Sequence, residues 1–251
     1  MRTGLTSLAA LCVLVQCACA QARSRAVPFV GCAADGQQGH ITPPRGQPKA
    51  VDSTNVSVEG IAYYKGDYAP GVFAPSGWRC HVWYGSSGSA VLVTPAPIDT
   101  THSSPAHVLG PAVELSAHFG GTSGRFSVAE YGGYLFPTLL ASFIARVKSE
   151  GLVPDSEFDP RHFAHDSVTP LGSLVAEFTT PPGLSGIGTA WSLGPSPDPI
   201  RGVAVLAGDS AEPDLAIFRL RLGAAKRQLE PILLELNRRC MQAGEPCWGS
   251  W

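Results

Sequence analysis

Gly77-Trp78-Arg79-Cys80-His81-Val82-Trp83-Tyr84-Gly85-Ser86-Ser87-Gly88-Ser89-Ala90-Val91-Leu92-Val93-Thr94 is the stretch that decides the fold. Trp78, Cys80, Val82 and Tyr84 recur at every second position, the period of a β-strand. Gly85-Ser86-Ser87-Gly88 turns the chain and Ala90 to Thr94 returns, so a β-hairpin is predicted. A second hairpin is expected after it. Val113, Leu115, Ala117 and Phe119 share one face, Gly120 to Gly124 turn, and Arg125 to Tyr131 come back.

The period then changes. Phe136, Leu139, Leu140, Phe143, Ile144 and Val147 fall at helical spacing around Pro137, and Gly151 is a stop signal. Arg146 and Lys148 give this helix a polar side. Residues 152–169 read as an acidic loop containing histidines. Strands are expected around Leu174–Thr179, Val203–Ala207 and Leu215–Leu222, with a fourth over Gly186–Leu193. In the strand after Leu215, Ala216, Phe218, Leu220 and Leu222 share a face, while Arg219 and Arg221 are expected to face out. A last helix carries Leu229, Ile232, Leu233, Leu236 and Cys240 on one stripe. The order predicts an α+β domain: an antiparallel sheet of hairpins and meander strands covered by two main helices.

At the N-terminus, Met1-Arg2, an apolar run from Leu5 to Val15 and Ala18-Cys19-Ala20 have the three parts of a secretion signal, cut before Gln21. Lipid attachment at Cys19 is the weaker alternative, because Gln16 stands where an aliphatic residue is wanted. The expected organisation is a signal peptide over 1–20, an extended segment over 21–59, and one domain with a short tail over 60–251. Residues 33–57 are rich in Gly, Pro, Gln and Ser and read as a tether or surface-hugging segment. Asn55-Val56-Ser57 is formally a glycosylation sequon.

The chain has 251 residues, a net charge of −2 and seven cysteines. Near-neutral charge and scattered arginines argue against a nucleic-acid partner. No stretch after the leader is long and apolar enough to span a bilayer. Loss of the leader would remove Cys12, Cys17 and Cys19, leaving an even set of cysteines for an oxidising compartment, periplasmic or extracellular. Cys240 and Cys247 are close in sequence beyond a helix end, which favours pairing them and leaves Cys32 with Cys80. A zinc site from all four thiolates is disfavoured, since Cys32 and Cys80 lack C-x-x-C partners.

Val27-Pro28-Phe29-Val30-Gly31-Cys32 with Asp35-Gly36-Gln37, Gly77-Trp78-Arg79-Cys80, Thr94-Pro95 and Thr122-Ser123-Gly124-Arg125-Phe126 resemble a family of uncharacterised exported bacterial proteins. The resemblance covers most of the chain beyond the leader and implies no activity. More distantly, Pro75-Ser76-Gly77-Trp78 opening a hairpin, then a mid-chain helix, a strand meander and a C-terminal helix, is similar to the PsbP-like fold. That likeness rests on element order. It implies a sandwich used as a binding or assembly module, and no residue roles.

Potential ligands are densest at Asp155, Glu157, Asp159, His162, His165 and Asp166. Pro160 stands where a calcium loop needs Gly, so that geometry is excluded. His162 and His165, three apart, would place two imidazoles on one helical face with Asp166 beside them, as a metal site requires. The alternative is a solvated acidic loop. A serine-hydrolase reading of His118 with Ser210 is disfavoured, because Glu212 would stand where an oxyanion must be stabilised. Gly183-Leu184-Ser185-Gly186-Ile187-Gly188 lacks the Lys of a phosphate loop, and no cofactor is implied. Trp78, Trp83, Tyr84, Trp248 and Trp251 are either a ligand platform or packing, with a tail packed on the domain the simpler reading. The sequence favours an exported, non-enzymatic binding or accessory protein for a protein or small-molecule ligand. A metal- or serine-dependent secreted hydrolase is the alternative.

Overall fold

A computed structural model describes residues 24–52, 57–100, 107–244 and 247–248. The proposed leader, the sequon's Asn55 and Trp251 lie outside them. The N-terminal half contributes strands β1 (Ser24–Val27), β2 (Phe29–Gly31), β3 (Ala33–Gly36), β4 (Gly39–Ile41), β5 (Lys49–Asp52), β6 (Ile61–Lys65) and β7 (Val72–Pro75). There follow β8 (Arg79–Gly85), β9 (Gly88–Thr94), β10 (Ala112–His118), β11 (Ser167–Pro170), β12 (Val175–Thr180), β13 (Ile200–Ala207) and β14 (Asp214–Arg221).

The first hairpin forms as expected, with Gly85 opposite Gly88 across a Ser86-Ser87 turn. It sits inside a nine-stranded sheet of order β11-β12-β13-β14-β10-β9-β8-β3-β4. All neighbours in this sheet are antiparallel except β3 and β8. Residues 33–57 are therefore not a mere tether: Ala33–Gly36 adds a parallel strand to the hairpin. The Cys32–Cys80 disulfide, Cα atoms 5.3 Å apart, fastens this addition at its start. Cys240 and Cys247, with Cα atoms 5.5 Å apart, form the second bridge.

Alternation decides the two faces. Val113 and Leu115 lie opposite Leu220 and Phe218, and they form one core with Val91, Val203 and Val205. The C-terminal helix, Glu230–Gln242, covers this core with Leu233, Leu234, Leu236 and Met241. Beside it lies a small sheet of order β2-β6-β7. Asn237 joins the two: its Oδ1 accepts from Phe73 N at 2.9 Å and its Nδ2 donates to Phe73 O at 3.0 Å. A side-chain amide thus completes the backbone pairing of an edge strand.

The opposite face carries Ala204, Leu206, Leu215 and Ile217 under the mid-chain helices. Here the second expected hairpin is corrected. Arg125–Ser127, Val128–Gly132 and Gly133–Leu135 form one helical run whose middle is wound as a π-helix. Val128, Leu135, Leu140 and Phe143 serve one core at helical spacing, and the two-residue step from Phe126 to Val128 is all that resembles a strand. Pro137 lies in the following turn, and the helix beyond is Ala141–Ser149. Leu139, expected on the buried stripe, is largely exposed.

Two further expectations change. Gly186–Leu193 is not a strand but a 3-10 turn, Ile187–Thr189, followed by a single bridge between Val108 and Leu193. Arg219 and Arg221 do not face solvent. Both are buried, because this loop and residues 107–110 lie over their face of the sheet.

Candidate ligand pocket

Glu114, Ser116 and His118 alternate along β10 and so share the face of Arg219 on β14, where Glu114 is paired across from Arg219. Arg219 Nη1 donates to Glu114 Oε1 at 2.8 Å and to Ser116 Oγ at 2.9 Å, and Nε donates to Ile187 O at 2.8 Å. Glu114 Oε2 in turn accepts from Ser192 N at 2.8 Å. A buried charge is tolerated only when paired and hydrogen-bonded, and here the partners are a carboxylate and the backbone of the overlying loop. Arg221 does the same next door, donating to the carbonyls of Gly110, Gly194 and Val108 at 2.9, 2.7 and 2.5 Å. These contacts lash the loop to the sheet as a roof.

His118 completes the stripe, its Nε2 3.2 Å from Ser116 Oγ. Burial, and then the Arg219 charge, lower its pKa to about 3, so the imidazole is neutral. Ser210, by contrast, lies in an exposed turn where Asp209 Oδ1 accepts from Ala211 N and Glu212 N. His118 therefore bonds Ser116, and no Ser210–His118 dyad forms.

Between the roof and the mid-chain helices lies a cavity of about 320 Å³ lined by Glu130, Tyr131, His162, Phe163, His107 and Thr189, with Gly186 in its wall. The π-turn Val128–Gly132 supplies Glu130 and Tyr131. Such single π-turns recur at functional sites because the extra residue redirects side chains. Burial, and then the neighbouring Glu157 carboxylate, raise the Glu130 pKa to about 7 against a hydrogen bond with Tyr131. Burial, and then Glu130, raise Tyr131 to about 12. At neutral pH the site thus holds a phenol and a half-protonated carboxyl.

The three residues expected to bind metal lie in different surroundings. His162 is on the 3-10 turn Pro160–Phe163 and reaches the cavity; His165 is exposed. Asp166 turns inward, where Oδ2 accepts from Ile187 N at 2.6 Å and burial raises its pKa. Among the described residues no three His, Cys, Asp or Glu side chains converge as a metal site. Asp166 Oδ1 is buried without a hydrogen-bond partner, at the spot a Cβ on Gly186 would fill, 2.1 Å away.

A larger, apolar cavity of about 480 Å³ lies at the far end of the C-terminal helix, lined by Leu206, Met241 and Trp248 among others. Trp248 packs back onto the domain and donates from Nε1 to Met241 O at 2.5 Å, as the simpler reading of the tail expects. Trp83 is likewise buried, in a small core with Leu92, Ala112 and Leu193.

Sequence reasoning missed Glu130, Tyr131 and the Glu114–Arg219 pair. A Glu in β10 and the two Arg residues of β14, set among apolar neighbours, were the available signal for the pair, since an unpaired buried charge is disfavoured. No helix among the described residues is long and apolar enough to cross a membrane. No protein-family model, no curated protein and no solved structure matches this chain.

Proposed function

We propose that this is an exported binding protein that seats a small polar ligand in the Glu130–Tyr131–His162 cavity. The observation that carries the reading is the convergence there of a carboxyl, a phenol, an imidazole and a hydroxyl. A few fixed polar groups in a concave, partly aromatic pocket are what orient a small ligand. At about 320 Å³ the cavity is at the small end of such sites. The two disulfides support an oxidising destination.

Protein-observed NMR with a library of polar fragments tests this. Shifts are expected to centre on Glu130, Tyr131 and Thr189 and to weaken in His162→Ala. Shifts confined to the Trp248 cavity, or none at all, would overturn it.

A hydrolase is the second reading, favoured by one feature: a carboxyl pushed up to about 7 by burial suits general acid–base work. Turnover of chromogenic esters or glycosides that Glu130→Gln abolishes would place it first.

A further inference from the structure

Charge is distributed unevenly around the cavity. Among the described residues its lining contains no Lys or Arg, and Glu130 is its only carboxylate. Glu157 lies near enough to oppose ionisation of Glu130. Behind Gly186, Asp166 adds a buried carboxyl, its Oδ2 accepting from Ile187 N. The guanidinium beneath, on Arg219, is matched by Glu114, and both are fully buried. Carboxylates are therefore in excess on the wall side, where like charges repel. Tyr131 and Phe163, whose ring centroids are 5.7 Å apart, supply aromatic surface at the same place. Carboxylate with aromatic rings is the chemistry that holds an organic cation.

We infer that the cavity takes an organic monocation, an amine or quaternary ammonium group set against Glu130 and the Tyr131 and Phe163 rings. The inference rests on the cavity being the ligand seat. A metal ion fits less well, because no third ligand converges among the described residues. The ammonium neutralises the repulsion between Glu130 and Glu157, so binding expels the proton that Glu130 holds near neutrality. Protonated His107 and His162 would oppose the cation in the same sense as protonated Glu130. Further ionisable neighbours are Tyr131, Tyr134, His165, Asp166, His118 and the Glu114–Arg219 pair.

The test is isothermal titration of the intact chain with benzylamine and choline, each beside its neutral isostere, benzyl alcohol or the carbon analogue of choline. The cations are expected to bind about tenfold tighter than their isosteres, the worth of one charge-assisted contact. With Glu130 titrating at about 7, affinity should rise about tenfold between about pH 6 and about pH 8. Glu130→Gln should lose both the preference and the slope. A His107→Gln, His162→Gln double variant should keep the slope, which assigns it to Glu130. Equal binding of amine and alcohol at the cavity overturns the cation while leaving the seat intact. The absence of any shift at the cavity, from these probes and from every other polar fragment, overturns the seat itself.

Discussion

Arg219 Nη1 stands 2.8 Å from Glu114 Oε1 with both side chains wholly shielded from solvent, at the middle of the nine-stranded sheet. The pair does more than neutralise itself. Through Ile187 O and Ser192 N it holds the loop that roofs the cavity. Removing one partner leaves an uncompensated buried charge, so Glu114→Ala should lower stability by about 3–5 kcal/mol in urea melts. Glu114→Met with Arg219→Met should cost less than the sum of the single changes, because no lone charge remains.

The Cys32–Cys80 bridge closes a loop with a sequence separation of 48 residues and ties β3 to β8. In the chain-entropy account a loop of that length contributes about 4 kcal/mol. Cys32→Ser with Cys80→Ser should lose stability on that order. Hydrogen exchange should show protection lost first at Ala33–Gly36 and Gly39–Ile41, with β10 and β14 last.

Gly202 on β13 has no room for a methyl group. A Cβ there would lie 2.2 Å from the Phe178 ring and 2.4 Å from Phe218 O. Phe178 is buried over the glycine, so neither ring nor strand has space to yield. Gly202→Ala should cost about 1–3 kcal/mol by chemical denaturation, the usual range for overpacking.

A half-buried carboxyl and a buried imidazole give the stability opposite dependences on pH. Glu130 is raised from 4.5 to about 7, so between those values the folded chain holds a proton that the unfolded chain has released. Its contribution to stability is lost as pH rises through that window. His118 is lowered from 6.5 to about 3, so the unfolded chain binds the extra proton and stability is lost as pH falls through that interval. Denaturation of Glu130→Gln should show the neutral-side loss flattened, and His118→Gln the acid-side loss. A wild-type difference from Glu130→Gln that is constant across the window would refute the first assignment.

Local signals that match a single period survived into the structure. The Trp78–Thr94 hairpin, the strands near Val175, Val203 and Leu215, the C-terminal helix and both cysteine pairings were legible, because one face or one chain distance decided each. Where two periods competed, the reading failed. Phe126 and Val128 fit a strand loosely, yet Val128 belongs to a helical ladder in which Val128 N donates to Gly124 O at 3.0 Å. Burial by a distant loop was illegible: nothing near Arg219 shows that Ile187 and Ser192 will cover it. The cavity depends on both features, so of its ionisable residues only His162 was read beforehand as a candidate ligand-binding group.

The most direct measurement is the titration of the Glu130 side-chain carboxyl carbon by NMR, with and without benzylamine. The account predicts a midpoint near 7 in the free protein and a lower one with the amine bound. A midpoint at the ordinary 4.5, unmoved by the amine, would mean a solvated carboxyl on a surface that seats no ligand.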